Sequence, residues 1–176
     1  RGEQVLYATS EESAYQCKMR ADRLCGGFEE PNETYGCLKI LADTDLANIQ
    51  RFVEANKPSL LVVDSIQMVH RSDLDASPGS VKQIRRCCLE LVYLAREYDM
   101  AVIVVGHVTK DGQLAGPRVL EHMVDVVLSF EGDRHQGLRS VRGVKNRFGT
   151  TLEVGLFEMS ASGLQEVGDA SAFLDP

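Results

Sequence analysis

The sequence predicts an α/β fold in which a mostly parallel central sheet is flanked by helices, with an antiparallel extension on the C-terminal side. Three observations carry this expectation. Apolar runs bounded by polar residues, Val5-Leu6-Tyr7-Ala8, Leu60-Leu61-Val62-Val63 and Ala101 to Val105, fit strands buried on both faces of a parallel sheet. Stretches with apolar residues at helical spacing stand between these runs, as βαβ units require. Beyond Met123 the helical patterns give way to strand-like runs joined by turn residues.

Taken in order, Gln4 to Thr9 is a first strand, and Ser10 is placed to cap the helix that follows. Glu11 and Glu12 then fall in the first turn. Ala14, Cys17, Ala21 and Leu24 continue at helical spacing until Gly26-Gly27 stops the helix. After a polar connection from Phe28 to Gly36, Cys37 to Leu41 reads as a second strand. Asp43 or Thr44 caps a second helix that turns Leu46, Ile49 and Val53 inward, and Pro58 leads into the strand that ends in Asp64. A polar loop from Ile66 to Ser80 contains Ser77-Pro78-Gly79. Val81, Ile84, Cys88, Leu91, Ala95 and Tyr98 then form one stripe of an amphipathic helix.

The strand Ala101 to Val105 ends in Gly106-His107-Val108-Thr109-Lys110, and a glycine-rich loop, Asp111 to Pro117, precedes a short helix around Leu120 and Met123. Val124 to Phe130, Leu138 to Val144 and Leu152 to Phe157 are strands, with turns at Gly132-Asp133 and Phe148-Gly149. Residues 1–159 are therefore expected to form the core. From Ser160 to Pro176 periodicity is lost, and a linker is expected.

A chain of 176 residues suits one domain, which on folding buries about 70% of the surface its unfolded form exposes. The net charge of -7 disfavours coating of nucleic acid through bulk charge, yet leaves room for a local basic site. Cys17, Cys25, Cys37, Cys87 and Cys88 are odd in number and show no C-x-x-C spacing, so neither a disulfide framework nor a zinc site is indicated. No apolar run approaches the roughly 18 residues needed to span a bilayer, and no signal peptide is visible, so a soluble chain of a reducing cytoplasm is expected. Because the sequence opens on Arg1 and enters a strand almost at once, an upstream piece is also expected.

The chemistry gathers at strand ends, where open α/β sheets bind ligands. Glu11-Glu12, Asp64, His107 with Thr109, and Lys145 with Arg147 stand at successive ends. Carboxylates at neighbouring ends can hold Mg²⁺ and polarise a water, while polar and cationic groups can sense and neutralise phosphate oxygens. Each residue also has a plainer role open to it. Asp64 can cap the following turn, the glutamates can favour a helix dipole, His107 can be a hydrogen-bonded core histidine, and Lys145 and Arg147 can be solvated. His70, His122 and His135 show no metal-ligand spacing. Between Arg134 and Leu152, however, there are five Lys/Arg and no acidic residue in a chain that is acidic overall, which favours an anionic partner.

The stretches V-L-Y-A-T-S-E-E-S, L-L-V-V-D-S-I-Q, S-P-G-S-V, V-G-H-V-T-K-D-G, A-G-P-R-V-L-E-H-M-V-D, F-E-G-D-R-H and V-K-N-R-F-G-T-T resemble the RecA-like ATPase domain of the bacterial RadA (Sms) family of DNA-repair proteins. The likeness runs from about Val5 to Met159 and implies a RecA-like three-layer fold. It implies that Glu11 activates the attacking water with Glu12 as its neighbour, and that Asp64 with the adjacent Ser65 holds Mg²⁺ through water. His107 would sense the γ-phosphate, with Thr109 and Lys110 relaying the signal. Lys110, Arg118, Arg71 and Lys82 would lie where the family touches single-stranded DNA. Lys145 and Arg147, within the family motif Lys145-Asn146-Arg147-Phe148-Gly149, would reach the ATP site of a neighbouring subunit.

The implied function is an ATP-driven motor that binds single-stranded DNA and processes recombination intermediates by branch migration. ATP and Mg²⁺ are its expected cofactors, and no zinc is expected in this stretch. A ring of subunits, a hexamer, is the expected assembly, with a RecA-type recombinase as partner and the bacterial cytoplasm as location. The sequence departs from the family in two respects. No G-x-x-x-x-G-K-S/T element occurs; the family places it upstream of the first strand, together with a zinc module, and a Lon-protease-like domain downstream. Ser10 stands where the family usually has glycine. Two other readings fit parts of the pattern: a non-enzymatic oligomerisation or DNA-binding scaffold, and a receiver-like module with Asp64 as phosphoacceptor and Glu11-Glu12, Thr109 and Lys145 around it.

Overall fold

Strand formation follows the apolar runs closely. β1 (Val5–Thr9), β2 (Leu38–Ala42), β3 (Leu60–Asp64) and β4 (Ala101–Val105) pair in parallel in the order β2-β1-β3-β4. The computed structural model describes residues 4–24, 37–107, 119–132, 137–161 and 163–168. The chain divides into two units, Arg1–Met123 and Val124–Pro176.

In the first unit burial alternates along the strands. Leu6, Ala8, Leu61 and Val63 are almost wholly inaccessible, whereas Tyr7 and Val62 are half-buried and Ile103 is 52% exposed. The strands are thus not buried equally on both faces as their apolar runs suggested. The buried face is closed by Leu46, Ile49 and Val53 of α2 (Leu46–Asn56) and by Ile84, Cys87, Cys88 and Leu91 of α3 (Val81–Glu97). Fully burying such side chains contributes roughly 1.5–3 kcal/mol each.

Helix boundaries depart from expectation where a polar side chain has a competing partner. α1 (Ala14–Leu24) starts after Ser13, not Ser10. Ser13 Oγ accepts from Gln16 N at 3.3 Å while Ser13 N donates to Gln16 Oε1 at 3.0 Å, a reciprocal capping box. The cap of α2 is Asp45, one or two residues later than expected: Asp43 spends its carboxylate on Asp45 N and Asn48 Nδ2, each at 2.8 Å, and Asp45 accepts from Ala47 N at 2.9 Å. Lys57 closes α2 in the left-handed region at φ 46, with its N–H on Val53 O.

α3 is rotated from its expected stripe. Val81 is 58% exposed, and Gln83 is buried with Ile84, Cys87, Cys88, Leu91 and Leu94. Gln83 is a structural strut: its Oε1 accepts from Arg71 N, and its Nε2 donates to Arg71 O and Ala76 O, all at 2.9 Å. Gly79 in the turn before α3 has φ +75, and a Cβ there would meet Gln67 O at 3.3 Å, so this turn favours glycine twice over. The first unit ends with the short α4 (Val119–Met123).

The second unit holds a separate antiparallel sheet in the order β5-β6-β7-β8. Its strands are β5 (Val126–Gly132), β6 (Leu138–Asn146), β7 (Val154–Ser160) and β8 (Gly163–Glu166). The segment expected to be linker from Ser160 therefore contributes a strand, in which Ser160 to Phe157 pair with Gly163 to Glu166. Four residues are too few for alternation to be visible in sequence. A bulge between Val127 and Leu128 shifts the β5–β6 register, and Val127 faces Lys145.

Candidate active site

Parallel register sets the geometry of the first unit's site. Thr9 at the end of β1 lies opposite Asp64 at the end of β3, which in turn lies opposite Val105 at the end of β4. The segments leaving these ends therefore emerge side by side. Ser10 joins two of them: its N–H and Oγ both donate to Asp64 O, at 2.8 and 3.0 Å, and its Oγ accepts from Ser65 N at 2.8 Å. The Asp64–Ser65 peptide is cis. This use of Ser10 between strand ends is why it does not cap α1.

Ser65, completely buried, donates its hydroxyl to Glu11 Oε1 at 2.8 Å. His107 Nε2 lies 2.7 Å from the same oxygen. A carboxylate accepts and does not donate, so Nε2 carries the hydrogen. These bonds, the Ser65 hydroxyl first and His107 second, hold the Glu11 carboxyl below the usual range and keep it ionised. Both donors share Oε1, and Oε2 takes no hydrogen bond from the described residues. Gln67 Nε2 donates to His107 O at 3.2 Å and steadies the segment that leaves β4.

The acidic pair is split. Glu12 turns back toward α1, where it pairs with Arg20 and accepts from Cys17 Sγ at 3.6 Å. Its backbone N–H is held by Thr9 Oγ1 at 3.2 Å. The arrangement brings Glu11 to the strand-end cluster and gives Glu12 to the helix.

Asp64 takes a different donor. Tyr7 Oη donates to Asp64 Oδ2 at 2.5 Å, and burial, followed by this bond, pushes the phenol's pKa up. Oδ1 takes no hydrogen bond from the described residues. A single carboxylate with one open oxygen suits Mg²⁺, which keeps several waters and is held by one or two carboxylates plus phosphate oxygens. The donor set therefore fits the cation through Asp64. Ser65, adjacent to Asp64, gives its hydroxyl hydrogen to Glu11 and keeps its oxygen lone pairs for a water. Among the described residues no group of three or more His, Cys, Asp and Glu is clustered as a metal cage.

Arg71 is engaged within its own surroundings. Its guanidinium pairs with Asp73 at 2.7 Å and with Glu90 at 2.9 Å. Lys82 Nζ donates to Asp75 O at 3.3 Å. Thr109, Lys110 and Arg118 lie outside the described residues.

In the second unit, Lys145 Nζ donates to Val124 O at 2.7 Å, and Arg147 pairs with Asp125 at 2.7 Å with both side chains more than half exposed. Asn146 shapes the turn that follows β6: its Oδ1 accepts from Phe148 N at 2.9 Å and its Nδ2 donates to Thr150 O at 3.2 Å. A Cβ on Gly149 would come within 3.3 Å of Asn146 Nδ2. The turn leaves Phe148 80% exposed beside Arg147. Sequence reasoning missed Tyr7, Ser10 and Gln83 as structural partners of these residues; the Ser13-x-x-Gln16 box was the available signal that Ser10 was free for another use.

Residues 1–113 match the family model described as AAA domain. The chain belongs to the AAA domain family. Curated relatives agree with the RadA resemblance. The DNA repair protein RadA of Bacillus subtilis is 51% identical over 163 residues, covering 93% of this chain and 34% of that protein. RadA of Listeria monocytogenes is 47% identical, covering 95% of this chain and 35% of its own length. RadA of Streptococcus pneumoniae is 48% identical, covering 93% and 37%.

The chain thus spans about a third of the length of the curated relatives it matches. Solved structures of the same fold include a KaiC-like protein from Pyrococcus horikoshii, with a TM-score of 0.69 at 22% identity over 94% of this chain and 76% of that one. The RadB recombinase superposes with a TM-score of 0.62 at 20% identity, over 94% and 80%. The fold is RecA-like, and the curated relatives are DNA-repair proteins. The receiver-like reading falls with this finding, since Lys145 ends an antiparallel strand of a second sheet rather than a strand of the parallel one.

Proposed function

We propose that the full-length protein carrying this chain is a DNA-dependent ATPase that acts on single-stranded DNA and on recombination intermediates, including their branch migration. One observation supports it above the others: Glu11, ionised and gripped through Oε1 by Ser65 and His107, stands beside Asp64 at adjoining ends of a parallel sheet. Glu11 Oε2 accepts a proton from the attacking water as that water approaches the γ-phosphorus. When bound near Asp64, Mg²⁺ supplies charge neutralisation on the phosphate oxygens.

His107 has a single Nε2 hydrogen to give. A γ-phosphate oxygen that takes it releases Glu11 from one of its two bonds, so nucleotide state and the freedom of the base are linked. The phosphate-cradling G-x-x-x-x-G-K-S/T loop is not in this sequence, and the residues here supply the water-activating and cation-orienting half of the chemistry. Arg147 is the candidate to act on a neighbouring subunit's nucleotide in a ring, which we take to be a hexamer. Its exposed pair with Asp125 contributes only about 0–1 kcal/mol, so exchanging that partner costs little. Arg71, Lys82, Lys110 and Arg118 are the candidates for DNA contact, and a RecA-type recombinase is the partner that processing of such intermediates calls for.

The test is ATP hydrolysis by the full-length protein with and without single-stranded DNA, for wild type and Glu11→Gln. Stimulation by DNA and a loss of about 10²-fold or more in the variant are expected. Unchanged turnover in Glu11→Gln would remove Glu11 as the base.

A further inference from the structure

Tyr7 occupies a place in the site that the sequence motifs do not assign. It lies on β1, two residues before the Thr9 that faces Asp64 in the register, and so on the same face of the sheet as that carboxylate. From there its side chain reaches forward along the strand direction, and its hydroxyl donates to Asp64 Oδ2 at 2.5 Å. The backbone of Asp64 is meanwhile held by Ser10 through its carbonyl. Main chain and side chain of this one residue are therefore fixed by two different hydroxyl-bearing residues, Ser10 just after β1 and Tyr7 within it.

We infer that Tyr7 is a positioning residue for the cation carboxylate. Its bond turns the plane of the Asp64 carboxylate and occupies Oδ2, so that Oδ1 alone faces the cation and its waters. A ring anchored in a strand holds that orientation better than a water would, because a second-sphere partner that is itself packed loses little freedom on binding. The inference rests on the reading of Asp64 as the cation residue proposed above.

The test uses the full-length protein, with Mn²⁺ standing in for Mg²⁺. Free Mn²⁺ is followed by electron paramagnetic resonance in the presence of ADP, for wild type, Tyr7→Phe, Asp64→Asn and the double variant. Phenylalanine keeps the ring and its packing and deletes only the hydroxyl. Tyr7→Phe is expected to weaken Mn²⁺ binding by about tenfold or more, as loss of an outer-sphere partner commonly does. In the Asp64→Asn background the same change is expected to do nothing further. Unchanged affinity in Tyr7→Phe, or an equal loss with and without Asp64, would overturn the inference while leaving the cation reading intact. Unchanged affinity in Asp64→Asn would instead overturn the cation reading and this inference with it.

Discussion

The buried Ser65 hydroxyl donates to Glu11 at 2.8 Å across the gap between the ends of β3 and β1. Because Ser65 follows Asp64, one two-residue step supplies both the proposed cation carboxylate and the grip on the proposed base. The grip depends on Ser10 as well, whose Oγ accepts the Ser65 N–H at 2.8 Å. At this position the chain has a side chain that ties the two strand ends together.

Ser65→Ala is therefore expected to reduce ATP hydrolysis by the full-length protein about tenfold, the effect of losing one hydrogen bond to a charged group. Nucleotide affinity is expected to stay near wild type, since Glu11 acts on the water. The double variant Ser65→Ala, Glu11→Gln should be no slower than Glu11→Gln alone, because the two residues work as one unit. Single-turnover kinetics of the three variants check this, and full additivity would remove Ser65 as a support of Glu11.

Arg147→Ala is expected to lower hydrolysis only under conditions where subunits assemble. Its pair with Asp125 joins two exposed side chains, so stability should change by less than about 1 kcal/mol. Mixing the Arg147→Ala protein with Glu11→Gln protein offers a sharper readout. In mixed assemblies a wild-type Glu11 site can sit next to a wild-type Arg147, and activity should rise above that of either variant alone. No recovery on mixing, or an equal loss in dilute monomer, would reject a role across subunits.

Much of this architecture was readable from the chain alone, for a physical reason. A parallel strand is a short apolar run, and its end is marked by the polar residues that follow, so the strand-end positions of Asp64, Glu11 and His107 were legible. What was not readable is which of several neighbouring polar groups wins a shared partner. Ser10 looked like a helix cap because it precedes a helix, yet the carbonyl of Asp64 and the N–H of Ser65, 54 and 55 residues away, claim it. Glu12 is indistinguishable from Glu11 by type, and the helical positions of Arg20 and Cys17 turn it aside. Gln83 reads as a surface residue of α3 but is buried, where its side chain bonds the backbone of Arg71 and Ala76. Each miss is a side-chain hydrogen bond, which periodicity does not encode.

The last prediction concerns pH. Asp45 caps α2 and also accepts from Ser72 Oγ at 2.8 Å, so it ties the helix to the loop that follows β3. The Ala47 N–H first, and the Ser72 hydroxyl second, hold its carboxyl below the usual range. A depressed folded-state pKa means that the stabilisation is fully present above the unfolded value of about 3.9 and is lost as pH falls through the folded value. Asp45→Asn keeps a capping oxygen but cannot ionise, so its cost should be largest at neutral pH and vanish in acid. Asp45→Ala removes the cap and should cost about 1 kcal/mol more locally. Hydrogen exchange of the α2 amides in the full-length protein, compared between variant and wild type at each pH, measures both effects. If the protection lost in Asp45→Asn stayed the same as pH was lowered through the folded-state pKa, the ionised carboxylate would not be what joins α2 to the loop.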